Sequence, residues 1–316
     1  MSERGKVLAK YNNGNYRVIL FSDGTKIKAT MDPRETVFKP EFPECVDLNI
    51  TDYCDVGCPF CYMNSTIHGE HASVADNIEF LKSIPKGCEV ALGGGSPILH
   101  PELPILLGYL RGRGVVANIT VHHMHFAEYY PTIKKYVEEG WLHGVGVSMN
   151  LYDPRILDLV SKLGTGVVHV IAGIIEPDTF MKMSRLANIL ILGYKNKGRA
   201  AYDKLPEDAE DKILGLKGYM PIVLNMRKNI VSFDNLALEQ LGIKNFVSPQ
   251  EWDECYMGDD GMDGSFDSAS MYVDLVKHKF ARNSVIARSH DFSESDGTMT
   301  DMFHILQKEN ETNEED

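Results

Sequence analysis

The sequence predicts an α/β protein built around a parallel sheet, on three observations. Between residues 44 and 200, strand-like and helical stretches alternate six times in succession. The strand-like runs are almost continuously apolar, as strands covered on both faces should be. Glycine and proline fall at the junctions, where helices begin and stop. Six such repeats in order imply parallel strands joined by right-handed crossovers. Spacing alone leaves two closures open, an open doubly wound sheet and a full or partial barrel. In either, function gathers at the C-terminal ends of the strands.

The elements follow in order. Residues 6–30 read as a small antiparallel meander, with "NNGN" turning between "KVLAKY" and "YRVILF", and "DGT" leading into "KIKAT". "DPRETVFKPEFPE" is a proline-rich connector that sets a boundary near residue 40. "CVDLNIT" is the first strand of the repeat. "SVADNIEFLKSI" is a helix with Ser73 as its cap, and Val74, Ile78 and Leu81 on one face. "EVALGGG" is a strand and "PELPILLGYLRGRG" a helix stopped by glycine. "VVANITVHH" precedes "AEYYPTIKKYVEEG", read as mostly helical. "GVGVSMN" precedes "DPRILDLVSKLG", a helix with Asp153 as cap, Pro154 in the first turn and Gly164 as stop. "VVHVIAGII", the helix "PDTFMKMSRLAN" and "ILILGYKN" complete the array. Beyond it, "PEDAEDKILGLKG" and "NLALEQLG" read as helices and "ASMYVDLVKHKFARNS" as a hairpin. The chain thus divides into an N-terminal meander and connector over 1–40, a core over 41–202 and an α+β extension covering the core over 203–305. An acidic tail over 306–316 is expected to be disordered.

Composition bounds the function. A chain of 316 residues, 43% hydrophobic and 24% charged, can bury a sizeable core. No segment approaches the roughly 20 apolar residues of a spanning helix. The charged start "MSERGKVLAK" lacks an apolar signal core, so a cytoplasmic location is expected. A net charge of −13 disfavours a broad phosphate-binding surface, and so a nucleic-acid partner.

Six cysteines are present, and three of them cluster: Cys54, Cys58 and Cys61, at C-x3-C-x2-C. Cys45, Cys88 and Cys255 are scattered and read as reduced thiols. Two centres are compatible with the cluster of three. A structural zinc or an electron-transfer cluster would need a fourth ligand, such as one of the eleven histidines. A 4Fe-4S cluster held by three thiolates leaves one iron open to a ligand that is not protein.

The cysteine motif, with the aromatic Phe60 before its last cysteine and its place at the end of the first strand of a β/α array, resembles the radical S-adenosylmethionine (radical SAM) superfamily. The resemblance covers roughly residues 44–200. It implies a 4Fe-4S cluster on Cys54, Cys58 and Cys61, with S-adenosylmethionine chelating the open iron. Reductive cleavage would then give a 5′-deoxyadenosyl radical that removes hydrogen from a substrate. An external one-electron donor such as flavodoxin or ferredoxin is implied as partner. So is a partial six-stranded (β/α)6 barrel, because a closed space protects a radical from water. Gly94, Gly95 and Ser96 of "LGGGSPILHP" match the family's turn for the methionine amino group, with Ser96 where a glutamate is usual. Ser148 and Asn150 match positions that contact ribose and carboxylate. Ile171, Gly173 and Glu176 match the adenine-side motif, with His169 replacing its first glycine, and backbone groups near Tyr194 complete the adenine pocket.

Substrate-side candidates sit at other strand ends. His122 and His123, with His125, end the third strand. Lys195, Lys197 and Arg199 form a basic knot after the sixth, suited to a carboxylate or phosphate. His169, alone in an apolar run, reads as a core residue. "MGDDGMDGSFDS" lacks calcium-loop spacing and reads as a turn. Lone Cys255 makes no auxiliary cluster domain. The substrate expected is a small molecule or peptide.

Overall fold

A ten-stranded sheet runs through the molecule in the order β10-β9-β8-β7-β6-β5-β4-β11-β12-β13, beside a separate sheet β1-β2-β3. The computed structural model describes residues 5–201, 206–226, 228–256, 269–284 and 289–313. The meander comprises β1 (Val7–Asn13), β2 (Tyr16–Phe21) and β3 (Lys26–Thr30), paired antiparallel. The main array comprises β4 (Cys45–Thr51), β5 (Glu89–Gly94), β6 (Val116–His122), β7 (Gly144–Ser148), β8 (Gly166–Ile171) and β9 (Ile189–Leu192). Its crossovers carry α1 (Ile78–Ser83), α2 (Leu103–Arg113), α3 (His123–Glu128), α4 (Tyr130–Glu138), α5 (Pro154–Leu163) and α6 (Pro177–Ser184). The remaining elements are α7 (Ala209–Val223), β10 (Val231–Phe233), α8 (Asn235–Leu241), α9 (Pro249–Glu251), β11 (Ser270–Asp274), β12 (Lys279–Ala281), β13 (His290–Asp291) and α10 (Met299–Asn313).

The six expected parallel strands are present, and the sheet is larger than six. β10 adds in parallel to β9 and β11 in parallel to β4, so the C-terminal extension supplies strands at both edges of the core sheet. β11 and β12 form the expected hairpin. The segment expected to be a disordered tail is helical through Asn313. The helix expected from Ser73 begins at Ile78; Ser73 instead holds a turn by accepting from the Asp76 N–H. The "MGDDGMDGSFDS" stretch lies outside the described residues.

The strands are not covered alike on their two faces. Successive side chains point to opposite sides. Val46, Leu48, Ile50, Val90, Leu92, Ile119, Val121, Val147, Val168, Val170 and Ile191 are buried in one core with the helices. The alternate residues remain at least partly exposed and mix polar side chains, Asp47, Asn118, Thr120, His122, Ser148 and His169, with the apolar Ile171 and Leu190. One face is therefore the core and the other is a partly exposed surface of polar and apolar side chains.

The meander sits at the N-terminal ends of β4 and β5. Lys26 of β3 pairs with Glu44 at 3.1 Å and Glu89 at 2.8 Å, and Lys28 lies 3.5 Å from Glu44. Tyr16 donates to the buried Glu44 carboxylate at 2.5 Å. Cys88 is buried nearby, its thiol on the Pro43 carbonyl, and burial pushes its pKa well up, which makes it inert.

Candidate active site

The cysteine loop leaves β4 at its C-terminal end and folds back on itself, with Tyr53 bridged to Thr66 and Thr51 to His71. The Cys54 N–H donates to the Thr66 carbonyl at 2.9 Å, and the Cys61 N–H to the Cys58 carbonyl at 3.3 Å. All three thiols are partly exposed and unpaired by disulfides. Burial raises the pKa of Cys58, the neighbouring Cys61 and Cys54 raise it further, and Arg199 opposes them. Among the described residues no three His, Cys, Asp or Glu side chains gather about a single ion position.

Arg199 holds this loop from the far side of the sheet. Its Nε donates to the Cys58 carbonyl at 3.0 Å and its Nη1 to the Ser65 carbonyl at 2.9 Å. Its N–H donates to the Cys61 carbonyl at 3.0 Å. Gly198 before it has φ +61°, and a Cβ there would fall 2.5 Å from the Tyr62 carbonyl oxygen. Arg199, expected at a substrate, is instead a clamp on the cysteine loop.

The glycine turn after β5 packs against the base of that loop. The Gly95 N–H donates to the Thr51 carbonyl at 2.6 Å and the Ser96 N–H to the Tyr53 carbonyl at 2.7 Å. Gly94 has φ +108°, and a Cβ there would lie 2.0 Å from Asn49 Oδ1; at Gly95 it would lie 2.2 Å from the Tyr53 carbonyl. These two are glycines because the loop backbone leaves no room. Gly93 differs: a Cβ there would meet nothing within 4 Å, so the open space lies over Gly93. The Ser96 side chain is buried, and its Oγ lies 2.8 Å from His125 Nδ1.

On the open sheet face, His122, Ser148, His169 and Leu190 stand in one row across β6 to β9. The His169 ring lies over Gly146, where a Cβ would fall 2.2 Å from its Cε1. Burial depresses the His169 pKa to about 4. Burial, with the neighbouring His123 and His125, brings His122 also to about 4. His169, expected in the core, therefore faces the same space as His122 and Ser148. His123 opens α3, its ring 4.2 Å from that of His122.

The remaining candidates divide. Asn150 accepts from the Ile171 N–H at 2.7 Å, coupling the tips of β7 and β8, while Ile171 stays partly exposed on the open face. The main-chain N–H and carbonyl of Tyr194 are both taken by the Gln240 carboxamide, at 2.8 and 3.0 Å. Its phenol oxygen is buried with no hydrogen-bond partner among the described residues. Glu176 pairs with Lys212 at 2.8 Å. Lys195 lies 4.3 Å over the Tyr62 ring and donates to Ser284 Oγ at 2.9 Å. Burial works against its charge, and Tyr62, Asp47 and Asp234 hold its pKa above the ordinary lysine value. Phe60 is partly exposed in the loop. His125 and Asp55 carry more of the geometry than the motifs indicated; Asp55 Oδ1 lies 2.9 Å from His125 Nε2.

The donor set fits a cluster and an adenosyl cosubstrate on three observations: three partly exposed free thiols on one loop, open space over Gly93, and a buried Tyr194 hydroxyl with no partner among the described residues. The Radical SAM superfamily profile matches residues 48–174. A crystal structure of Streptococcus suis SuiB bound to S-adenosylmethionine is similar in fold, with TM-score 0.58 and 13% identity over 81% of this chain and 65% of that chain. SuiB bound to precursor peptide SuiA aligns with TM-score 0.58 and 13% identity, covering 85% of this chain and 65% of that one. The chain thus spans 65% of the length of these SuiB chains. No described helix is long and apolar enough to cross a membrane. The family match runs from β4 to just past β8 and so takes in the cysteine loop and the glycine turn, the segment this chain shares with the radical SAM superfamily, whose enzymes use a 4Fe-4S cluster and S-adenosylmethionine.

Proposed function

We propose that this chain is a radical SAM enzyme that removes a hydrogen atom from a peptide or small molecule seated on the open face of the sheet. The observation that carries the reading is the meeting of the three-cysteine loop with the glycine turn at the C-terminal ends of β4 and β5, above a face lined by His122, Ser148 and His169. When bound, the cluster and S-adenosylmethionine supply reductive cleavage of a sulfonium and hence the 5′-deoxyadenosyl radical.

The chain's own residues hold and shield this chemistry. Cys54, Cys58 and Cys61 are the cluster ligands, and Arg199 fixes the carbonyls of two of them. Gly93 admits the cosubstrate to the sheet edge, and Ile171 offers an apolar contact to its base. The parallel strands curve as a partial barrel, with the meander at the opposite end, where it keeps water from entering from below. Lys195 stands at the rim as a cation for an anionic substrate group. The SuiB complex with a precursor peptide favours a peptide substrate. A flavodoxin or ferredoxin in the cytoplasm is the proposed electron donor.

Protein purified without oxygen and reconstituted with iron and sulfide tests this. With reductant and S-adenosylmethionine it should release 5′-deoxyadenosine, and Cys58→Ala should release none. Stoichiometric zinc, a colourless protein and no 5′-deoxyadenosine would defeat the proposal.

A further inference from the structure

β9 and β12 lie towards opposite edges of the ten-stranded sheet, yet the residues that follow them meet. Lys195, just past β9, donates from Nζ to Ser284 Oγ, just past β12, at 2.9 Å. Lys197 Nζ lies 3.4 Å from the Ser284 carbonyl, so two lysines hold the same serine. The ring of Tyr62, the residue after Cys61, lies 4.3 Å from the Lys195 ammonium. Asp47, on the open face of β4, acts on that ammonium as well. The Lys195–Ser284 pair therefore stands between the cysteine loop and the open face of the sheet.

Two donors are on offer there. An ammonium has three protons to give, and Ser284 takes one of them. A hydroxyl that accepts from an ammonium keeps its own proton to donate, and no acceptor for that proton lies among the described residues. Ser284 is buried and so fixed, while Lys195 is partly exposed. Two donors 2.9 Å apart, one of them charged, match the two oxygens of a single carboxylate. Other cations nearby are spent or absent. Arg199 holds the Cys58 and Ser65 carbonyls, and burial brings the pKa of His122 and His169 to about 4, so both rings are uncharged at neutral pH. Asp47 and Asp234 add negative charge around Lys195. One ammonium beside two carboxylates suits a singly charged anion and repels a phosphate dianion.

We infer that Lys195 and Ser284 together bind a carboxylate of the substrate, from an acidic side chain or a chain terminus, at the edge of the open face. The inference deepens the enzyme reading above and rests on it. Lys195 supplies the charge. Ser284 supplies the second donor and brings the C-terminal extension into the substrate site.

The test measures binding of small probes to the reconstituted full-length protein by saturation-transfer NMR. N-acetylaspartate amide is compared with N-acetylasparagine amide, and N-acetylalanine with its own amide, so each acid faces a neutral analogue of its shape. The acid of at least one pair should bind about tenfold tighter, given partial exposure. A preference in the first pair marks an acidic side chain as the source, and in the second a chain terminus. Saturating S-adenosylmethionine should leave the preference in place; a preference that it abolishes marks the cosubstrate's own carboxylate and overturns the inference. Lys195→Gln should reduce the preference below about twofold, and Ser284→Ala should reduce it about threefold. A preference kept at the wild-type level in Lys195→Gln, or inorganic phosphate that binds tighter than either acid, overturns the inference. Should Lys195→Gln fail to load a cluster, Ser284→Ala decides: a reduced preference supports the assignment, and an unchanged one overturns it. Wild-type protein that releases 5′-deoxyadenosine yet prefers neither acid overturns the inference and leaves the enzyme reading standing. Wild-type protein that releases none overturns that reading.

Discussion

Arg199 illustrates how one side chain can be read correctly as important and wrongly as to purpose. Its place in a basic knot after the sixth strand pointed to a substrate anion, but its guanidinium and N–H are spent on the carbonyls of Cys58, Cys61 and Ser65. Removing its side chain takes one donor each from the Cys58 and Ser65 carbonyls, a loss of about 2 kcal/mol, while the main-chain N–H stays on the Cys61 carbonyl. Arg199→Ala is therefore expected to bind iron but lose it several-fold faster to a chelator, with Arg199→Lys intermediate; loss at the wild-type rate would show that the clamp is dispensable. His169 gives a pH signature. Its native pKa of about 4 lies below the ordinary value near 6.5, so between those values the unfolded chain binds more protons. The stability it contributes is complete above about pH 6.5 and is lost as pH falls towards 4. After discounting for partial exposure this is on the order of 2 kcal/mol. Urea midpoints should fall more steeply from pH 7 to 4.5 in the wild type than in His169→Gln, and parallel curves would refute the assignment.

The turn after β5 shows how three adjacent glycines differ in purpose. Gly94→Ala forces a side chain at φ +108° into Asn49 and the Thr51 carbonyl, and should cost about 3 kcal/mol or more in unfolding experiments. Gly93→Ala meets no atom, so it should leave stability within about 0.5 kcal/mol while weakening S-adenosylmethionine binding. Equal destabilisation by the two would contradict this division. Strand order, crossover helices, most caps and the cysteine loop were legible in the sequence, because they rest on local periodicity and on residues such as Asp153 and Gly164 that act where they stand. The open face was not. Long apolar runs hid the alternation that leaves Thr120, His122 and His169 on one side, and only the register across β6, β7 and β8 brings them together. Asp55 gave no signal at all, since a spacer residue between two cysteines finds its partner in His125, 70 positions away in sequence.

At the scale of the molecule, the sheet separates chemistry from scaffolding. Loops at the C-terminal strand ends hold the cysteines and the glycine turn, the adjoining sheet face carries His122 and His169, and the meander is tied to the opposite end through Lys26. The C-terminal strands extend the sheet at both edges, and Lys277 in the β11–β12 turn reaches back to Asp52 at 2.6 Å, so the end of the chain braces the base of the cysteine loop. The central claim is that the three-thiolate centre leaves one iron free for the cosubstrate. Electron paramagnetic resonance of the reduced, reconstituted protein tests it most directly. Saturating S-adenosylmethionine should shift the spectrum of the reduced cluster, and a spectrum unchanged by the cosubstrate, from a protein carrying four irons, would contradict it.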